Sequence, residues 1–96
     1  MSSIFSDRSK LAIATTLVAS KEPLSFSELL NETQLTNGNL SSHLKKMGEL
    51  RLIKIKKQFK DNRPLTTVQI TADGLAELKR YAIELKGLLE KVSKLT

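Results

Sequence analysis

His43 is the single histidine of a 96-residue chain that contains no cysteine. With no thiol and one imidazole, neither a thiolate metal centre nor a multi-histidine site can be assembled. No two carboxylates stand at a spacing suited to general acid–base work, and no nucleophile is accompanied by its base. The four glycines are isolated rather than gathered into a phosphate-cradling loop. The expectation is a non-enzymatic protein without metal or cofactor. What the side chains can do is hydrogen-bond and neutralise charge. Between Thr36 and Pro64 the cations are Lys45, Lys46, Arg51, Lys54, Lys56, Lys57, Lys60 and Arg63, against Glu49 and Asp61. The rest of the chain has as many acids as bases, so the whole net charge of +6 lies in that stretch. Such a footprint calls for an anionic polymer as partner.

Thr36 to Met47 is the centre of the footprint. Leu40, Leu44 and Met47 recur at i, i+4 and i+7, one narrow apolar stripe of a helix. At about 100° per residue, Gly38, Ser42 and Lys45 point away from the stripe, with Asn39, Ser41 and Lys46 on its flanks. Asn and Ser reach base edges or phosphates, Lys neutralises phosphates, and Gly38 removes bulk where the helix start would approach a duplex. The free N–H groups of the helix start, at Thr36 and Asn37, suit a phosphate. The expected DNA contacts of this helix are therefore Thr36, Asn37, Gly38, Asn39, Ser41, Ser42, Lys45 and Lys46. The plainer alternative is a solvated polar face, which is ordinary for amphipathic helices. His43, about 60° from the stripe, is expected at the boundary, packing its ring or touching a phosphate.

The other elements follow from local signals. A first helix is expected from about Asp7 to Ser20, capped by Ser6 or Asp7, with Leu11, Ala14, Leu17 and Val18 facing the core. Met1 to Ser6 is expected to be loosely held, unless Ile4 and Phe5 dock on a partner or on the last helix. Pro23 ends the first helix, and Leu24 to Phe26 can add a short strand. Ser25-Phe26-Ser27-Glu28 matches a capping box, with Leu24 and Leu29 as its hydrophobic staple, and opens a second helix ending near Thr33. Thr36 caps the third helix, with Leu35 and Leu40 as the staple. Only about three residues, Gln34 to Thr36, separate the two, the spacing of a helix-turn-helix. After Leu52 the period changes to two: Ile53 and Ile55 alternate with lysines, and Val68 and Ile70 alternate with Thr67 and Gln69, two antiparallel strands. Lys60 to Pro64 reads as the turn between them. Lys57, Lys60, Asn62 and Arg63 are the expected DNA contacts of this hairpin, with Arg63 at its tip.

Helix, helix-turn-helix, basic hairpin, helix is the order of a winged helix. The runs LTNGNLSSHLKKMGELRLIKIKKQF and RPLTTVQITADGLAEL resemble the small winged-helix transcriptional regulators related to the MarR and ArsR groups. The resemblance covers about residues 7–81. It implies that the LSxHLxxL-like helix is the recognition helix, that the hairpin is the wing, and that the T-x-x-G step at Thr71 to Gly74 opens the last helix. Metal sensing of the ArsR kind would need ligands this chain lacks, and the extra helices that flank the ligand crevice of larger MarR proteins have no room here. A small-molecule effector is left unassigned.

Thr71 caps the last helix, Ile70 and Leu75 are its staple, and Asp73 complements the helix dipole. Ala72 to Leu95 would make a helix of roughly 36 Å, at about 1.5 Å per residue, longer than so small a core needs. Leu78, Leu85 and Val92 recur every seven residues, with Tyr81, Leu88 and Leu95 three further on, an a/d seam for a dimer interface. Leu75, Ala82 and Leu89 widen the stripe. The competing account is that the stripe closes the domain's own core. The expected fold is mainly α (α+β): a winged helix-turn-helix DNA-binding domain over 1–71, with a two- to three-stranded wing, and a long C-terminal dimerisation helix over 72–96. The expected function is a sequence-specific double-stranded DNA-binding transcriptional regulator, a repressor acting as a homodimer on a palindromic operator. The alternative is a winged-helix module for protein or RNA contact. No signal peptide and no apolar run of about 20 residues is legible, so the expectation is a soluble, cytoplasmic protein without membrane contact.

Overall fold

The computed structural model describes residues 3–95 and contains four α-helices and one three-stranded sheet. In chain order these are α1 (Arg8–Ala19), β1 (Leu24–Ser25), α2 (Phe26–Thr33), α3 (Asn37–Glu49), β2 (Ile53–Lys60), β3 (Arg63–Ile70) and α4 (Ala72–Ser93). The sheet order is β1-β3-β2, antiparallel throughout, with Leu24 opposite Val68 and Ile53 opposite Ile70. This is a mainly α winged helix-turn-helix with a three-stranded wing and a long last helix.

The helix starts fall where the capping residues stand. Ser25 Oγ accepts the Glu28 N–H at 3.0 Å while Glu28 Oε1 accepts the Ser25 N–H at 3.1 Å, a complete capping box. Thr36 Oγ1 accepts the Asn39 N–H and Thr71 Oγ1 the Gly74 N–H. Asp7 caps α1, its Oδ1 accepting the Lys10 N–H at 3.0 Å. That bond, more than the nearby Lys10 and His43 side chains, holds the Asp7 carboxyl below its ordinary value of 3.8. A carboxylate whose folded pKa is depressed stabilises above its unfolded value, and the stabilisation is lost as pH falls through the folded one. Asp7→Ala is therefore expected to cost about 1 kcal/mol in urea denaturation at neutral pH. The gap from wild type should close in strong acid.

One core joins the helices to one face of the sheet. Ile13, Ala14 and Leu17 of α1, Leu29 of α2, Leu40, Leu44 and Met47 of α3, Leu52, Ile53 and Val68 around the sheet, and Leu78 of α4 are buried together. Three expectations are corrected here. Val18, next to the C-terminal end of α1, is 43% exposed, while Ile13 is fully buried. The N-terminal segment is not loose, and the alternative of docking on the last helix is the one the structure adopts: Ile4–Ser6 forms a 3-10 turn packed on α1 and α4, and Phe5 is fully buried. Burying that ring is worth about 2–3 kcal/mol, enough to tie the segment down. Met1 and Ser2, part of the same expectation, lie outside the described residues. The hairpin turn is not five residues but two, Asp61 and Asn62, both at positive φ (53° and 61°), the signature of a type I′ turn. The strands consequently run on to Lys60 and Arg63.

The fold is drawn out to 57 × 24 × 23 Å, with a radius of gyration of 15.0 Å against about 12.5 Å for an ordinary globule of this length. Two parts project, the β2–β3 ribbon and the C-terminal half of α4.

A junction at the root of the ribbon fixes α4. Arg51 takes a positive φ of 60°, and its carbonyl accepts the Thr71 hydroxyl at 2.7 Å. The Leu52 carbonyl accepts the Thr71 N–H at 3.0 Å and lies directly beneath Gly74. The end of α3, the start of β2 and the start of α4 thus meet at two carbonyl groups.

Candidate nucleic-acid interface

The turn between α2 and α3 is built by Gln34, whose φ of 59° lets its N–H close on the Leu30 carbonyl while its amide donates to the Asn31 carbonyl at 2.6 Å. Leu35 then packs against the core and Thr36 caps α3. Leu40, Leu44 and Met47 anchor α3 from beneath. Its outer side is left to solvent: Thr36, Asn37, Gly38, Asn39, Ser41, Ser42, Lys45 and Lys46 are all exposed. So are Lys57, Lys60, Asn62 and Arg63 of the ribbon. Among the described residues the ion pairs are Lys10–Asp7 and Arg80–Glu77, so the cations of α3 and the ribbon are unpaired.

Gly38 lies in the first turn of α3 with no atom within 4 Å of where a Cβ would be, and its φ is not positive. Nothing inside the chain requires glycine there, although glycine costs a helix about 1 kcal/mol relative to alanine. Gly38→Ala is accordingly expected to stabilise the fold by up to about 1 kcal/mol yet weaken duplex binding, opposite signs that thermal melts and titrations read separately. A gain in both would show that nothing approaches this position.

His43 is half-buried at the edge of α3, with Nδ1 3.0 Å from Lys10 Nζ of α1. The contact ties the edge of α3 to α1. The boundary position was legible from spacing; the partner, 33 residues away, was not.

Sequence reasoning also missed Phe59. It is 77% exposed on the ribbon, whereas Phe5 is in the core and Phe26 and Tyr81 pack against it. The signal was present in the alternation Ile53, Ile55, Lys57, Phe59, but its cross-strand partner, Pro64, depends on the length of the turn.

On α4 the heptad residues divide. Leu78 is buried in the chain's own core and Tyr81 packs against it. Leu85 is half-buried, and Leu88, Val92 and Leu95 are exposed by 42%, 60% and 84%. α4 ends at Ser93, so Leu95 stands just past the helix.

An exposed polar and cationic helix beside a basic ribbon, carried on a tri-helical core, defines a winged helix-turn-helix. The sequence matches the family model of the winged helix DNA-binding domain over residues 10–89, and the chain belongs to that family. It is 34% identical over 67 residues to an uncharacterized protein of Methanocaldococcus jannaschii, covering 70% of this chain and 73% of that one. Its fold is similar to that of the transcriptional regulator homologue from Pyrococcus horikoshii, with a TM-score of 0.85 and 32% identity over 93% of this chain and 87% of that one. The M. tuberculosis transcriptional regulator MosR, solved in complex with DNA, shares the fold at a TM-score of 0.73 and 19% identity, over 93% of this chain and 62% of that one. The family model agrees with the winged helix that the α3 and ribbon motifs imply.

Proposed function

We propose that the protein is a sequence-specific transcriptional regulator that binds double-stranded DNA as a homodimer, placing α3 in the major groove and the ribbon along the adjacent minor groove. The observation that carries this reading is the outer side of α3, where small hydrogen-bonding residues and unpaired lysines are all exposed, as are the cations of the ribbon. A protein-binding surface would more often present aromatic or other large anchors at its centre. The DNA complex of the similarly folded MosR supports the choice of partner.

In this reading Asn39 and Ser42 read bases, Lys45 and Lys46 hold phosphates, and Arg63 with Lys60 contacts the flanks. Residues 1–71 carry DNA recognition and 72–96 the dimer contact, in which α4 from two copies pair through Leu85, Leu88 and Val92. A two-fold dimer sets two recognition helices about one turn of duplex apart, and its operator is palindromic. In this reading the dimer represses, by covering its operator. No helix among the described residues is long and apolar enough to cross a membrane, and the cytoplasm is the proposed location.

The test is titration of random-sequence duplex, single-stranded RNA and a neutral polymer at a series of salt concentrations. If each protomer neutralises about four phosphates, log K should fall against log salt with a slope of roughly −7 for duplex. Lys45→Ala should make that slope shallower by about two in the dimer. A slope near zero, or preference for the RNA, would overturn the proposal.

A further inference from the structure

The one aromatic side chain held away from the core stands at the end of the basic ribbon. Phe59 is six residues along β2 from the buried Ile53, about 20 Å at the usual strand rise, so its ring cannot reach the core. The two-residue turn makes Lys60–Arg63 the closing pair of the hairpin, which exchanges the ladder hydrogen bonds. Phe59 and Pro64 are the next pair, of the non-hydrogen-bonded kind, in which facing side chains come closest. Pro64 costs the ladder nothing there, because its missing N–H would point away from β2 toward an edge that the two-residue β1 does not reach. Two apolar rings therefore stand side by side, exposed, on one face of the ribbon.

Their surroundings select the occupant. Lys57 lies two residues back on the same face, and Lys60 and Arg63 flank the pair from the opposite face. Cations on both faces of a ribbon match the two phosphate walls of a groove, and apolar side chains between them match what lies within it. We propose that Phe59 and Pro64 form an apolar wedge that enters the minor groove of duplex DNA beside the α3 contact and opens a base step there. This rests on the duplex-binding reading above. The unstacking cost is smallest at pyrimidine–purine steps such as TA and CA, so the wedge confers a preference at positions that no hydrogen-bonding side chain reads.

The experiment is selection of binding sites from random-sequence duplex DNA by wild type and by Phe59→Ala, followed by 2-aminopurine fluorescence at the flanking step of the selected duplex. Phe59→Leu serves as the conservative variant. The exposure of Phe59 leaves the fold intact, which melting curves verify. Wild type should enrich a flexible step outside the α3 contact and brighten 2-aminopurine placed there. Phe59→Ala should keep duplex binding and its salt slope but lose about tenfold discrimination at that step together with the fluorescence rise, and Phe59→Leu should retain part of both. If wild type binds duplex and Phe59→Ala selects the same flanks with unchanged fluorescence, the wedge is refuted while the duplex reading stands. If Phe59→Ala weakens single-stranded DNA binding or self-association instead, the ring serves another contact and the wedge is equally refuted. Failure of wild type to bind any duplex would remove both readings and is told apart by the salt titration.

Discussion

Leu85→Asp combined with Leu88→Asp is expected to give a folded monomer that binds its duplex at least about a hundredfold more weakly than wild type. The fold should survive because neither residue belongs to the core: the last α4 side chains that pack on it are Leu78 and Tyr81. From Tyr81 to Ser93 the helix runs a further 18 Å or so at about 1.5 Å per residue, bearing Leu88, Leu89 and Val92 with 42–60% of their surface in water. An amphipathic helix extended past its own core is stabilised by a partner, and two carboxylates in the seam would face two more across the two-fold axis. Duplex binding falls because two linked half-sites gain about a hundredfold or more in avidity that a monomer forfeits. Sedimentation at micromolar concentration and duplex titration check the two halves. A wild-type chain that stays monomeric at high concentration yet holds a single half-site tightly would show that the seam has no counterpart.

The second large effect is at Gly74. A Cβ on this residue would fall inside the van der Waals shell of the Leu52 carbonyl oxygen and 2.9 Å from Ile70 Cγ1. The obstacle is backbone, and that backbone is itself pinned by the Thr71 N–H and, one residue earlier, by the Thr71 hydroxyl. Relief requires α4 to lift from the root of the ribbon, opening the contact of Leu78 with the core. Gly74→Ala is expected to cost about 3 kcal/mol, roughly a 12–24 °C fall in melting temperature for a domain of this size. Gly87→Ala is the internal control, since nothing lies within 4 Å of its Cβ position and alanine favours the helix. Calorimetry of the two variants should give shifts of opposite sign or at least tenfold different size.

How much of this was legible in advance depended on whether the deciding interaction was local. Caps are made within four residues, so Ser25, Thr36 and Thr71 marked their helix starts correctly. The apolar stripe of α3 is a property of one helix, and Leu40, Leu44 and Met47 are buried as their spacing requires. The burial of Phe5 depends on α4, at the other end of the chain, as well as on the adjacent α1, so the six residues themselves offered docking on the last helix only as an alternative to a loose end. The Lys60–Pro64 run contains three good turn formers, Asp61, Asn62 and Pro64; composition alone does not say that the first two close the turn at positive φ while the third pairs in a strand. Likewise the heptad at Leu78, Tyr81, Leu85 and Leu88 is continuous in sequence, but the core takes its first members and leaves the later ones to solvent.

The junction at Arg51, Leu52, Thr71 and Gly74 has a consequence for how DNA of different spacing is judged. It locks the axis of α4 to the end of α3, so in the proposed dimer the two reading helices are set at one distance and one relative angle, like the jaws of a fixed gauge. Inserting one base pair between half-sites moves one of them by about 3.4 Å and turns it by about 36° around the duplex. A gauge with no hinge at its root cannot follow, so the interval between half-sites is measured by the peptide backbone of residues that touch no base.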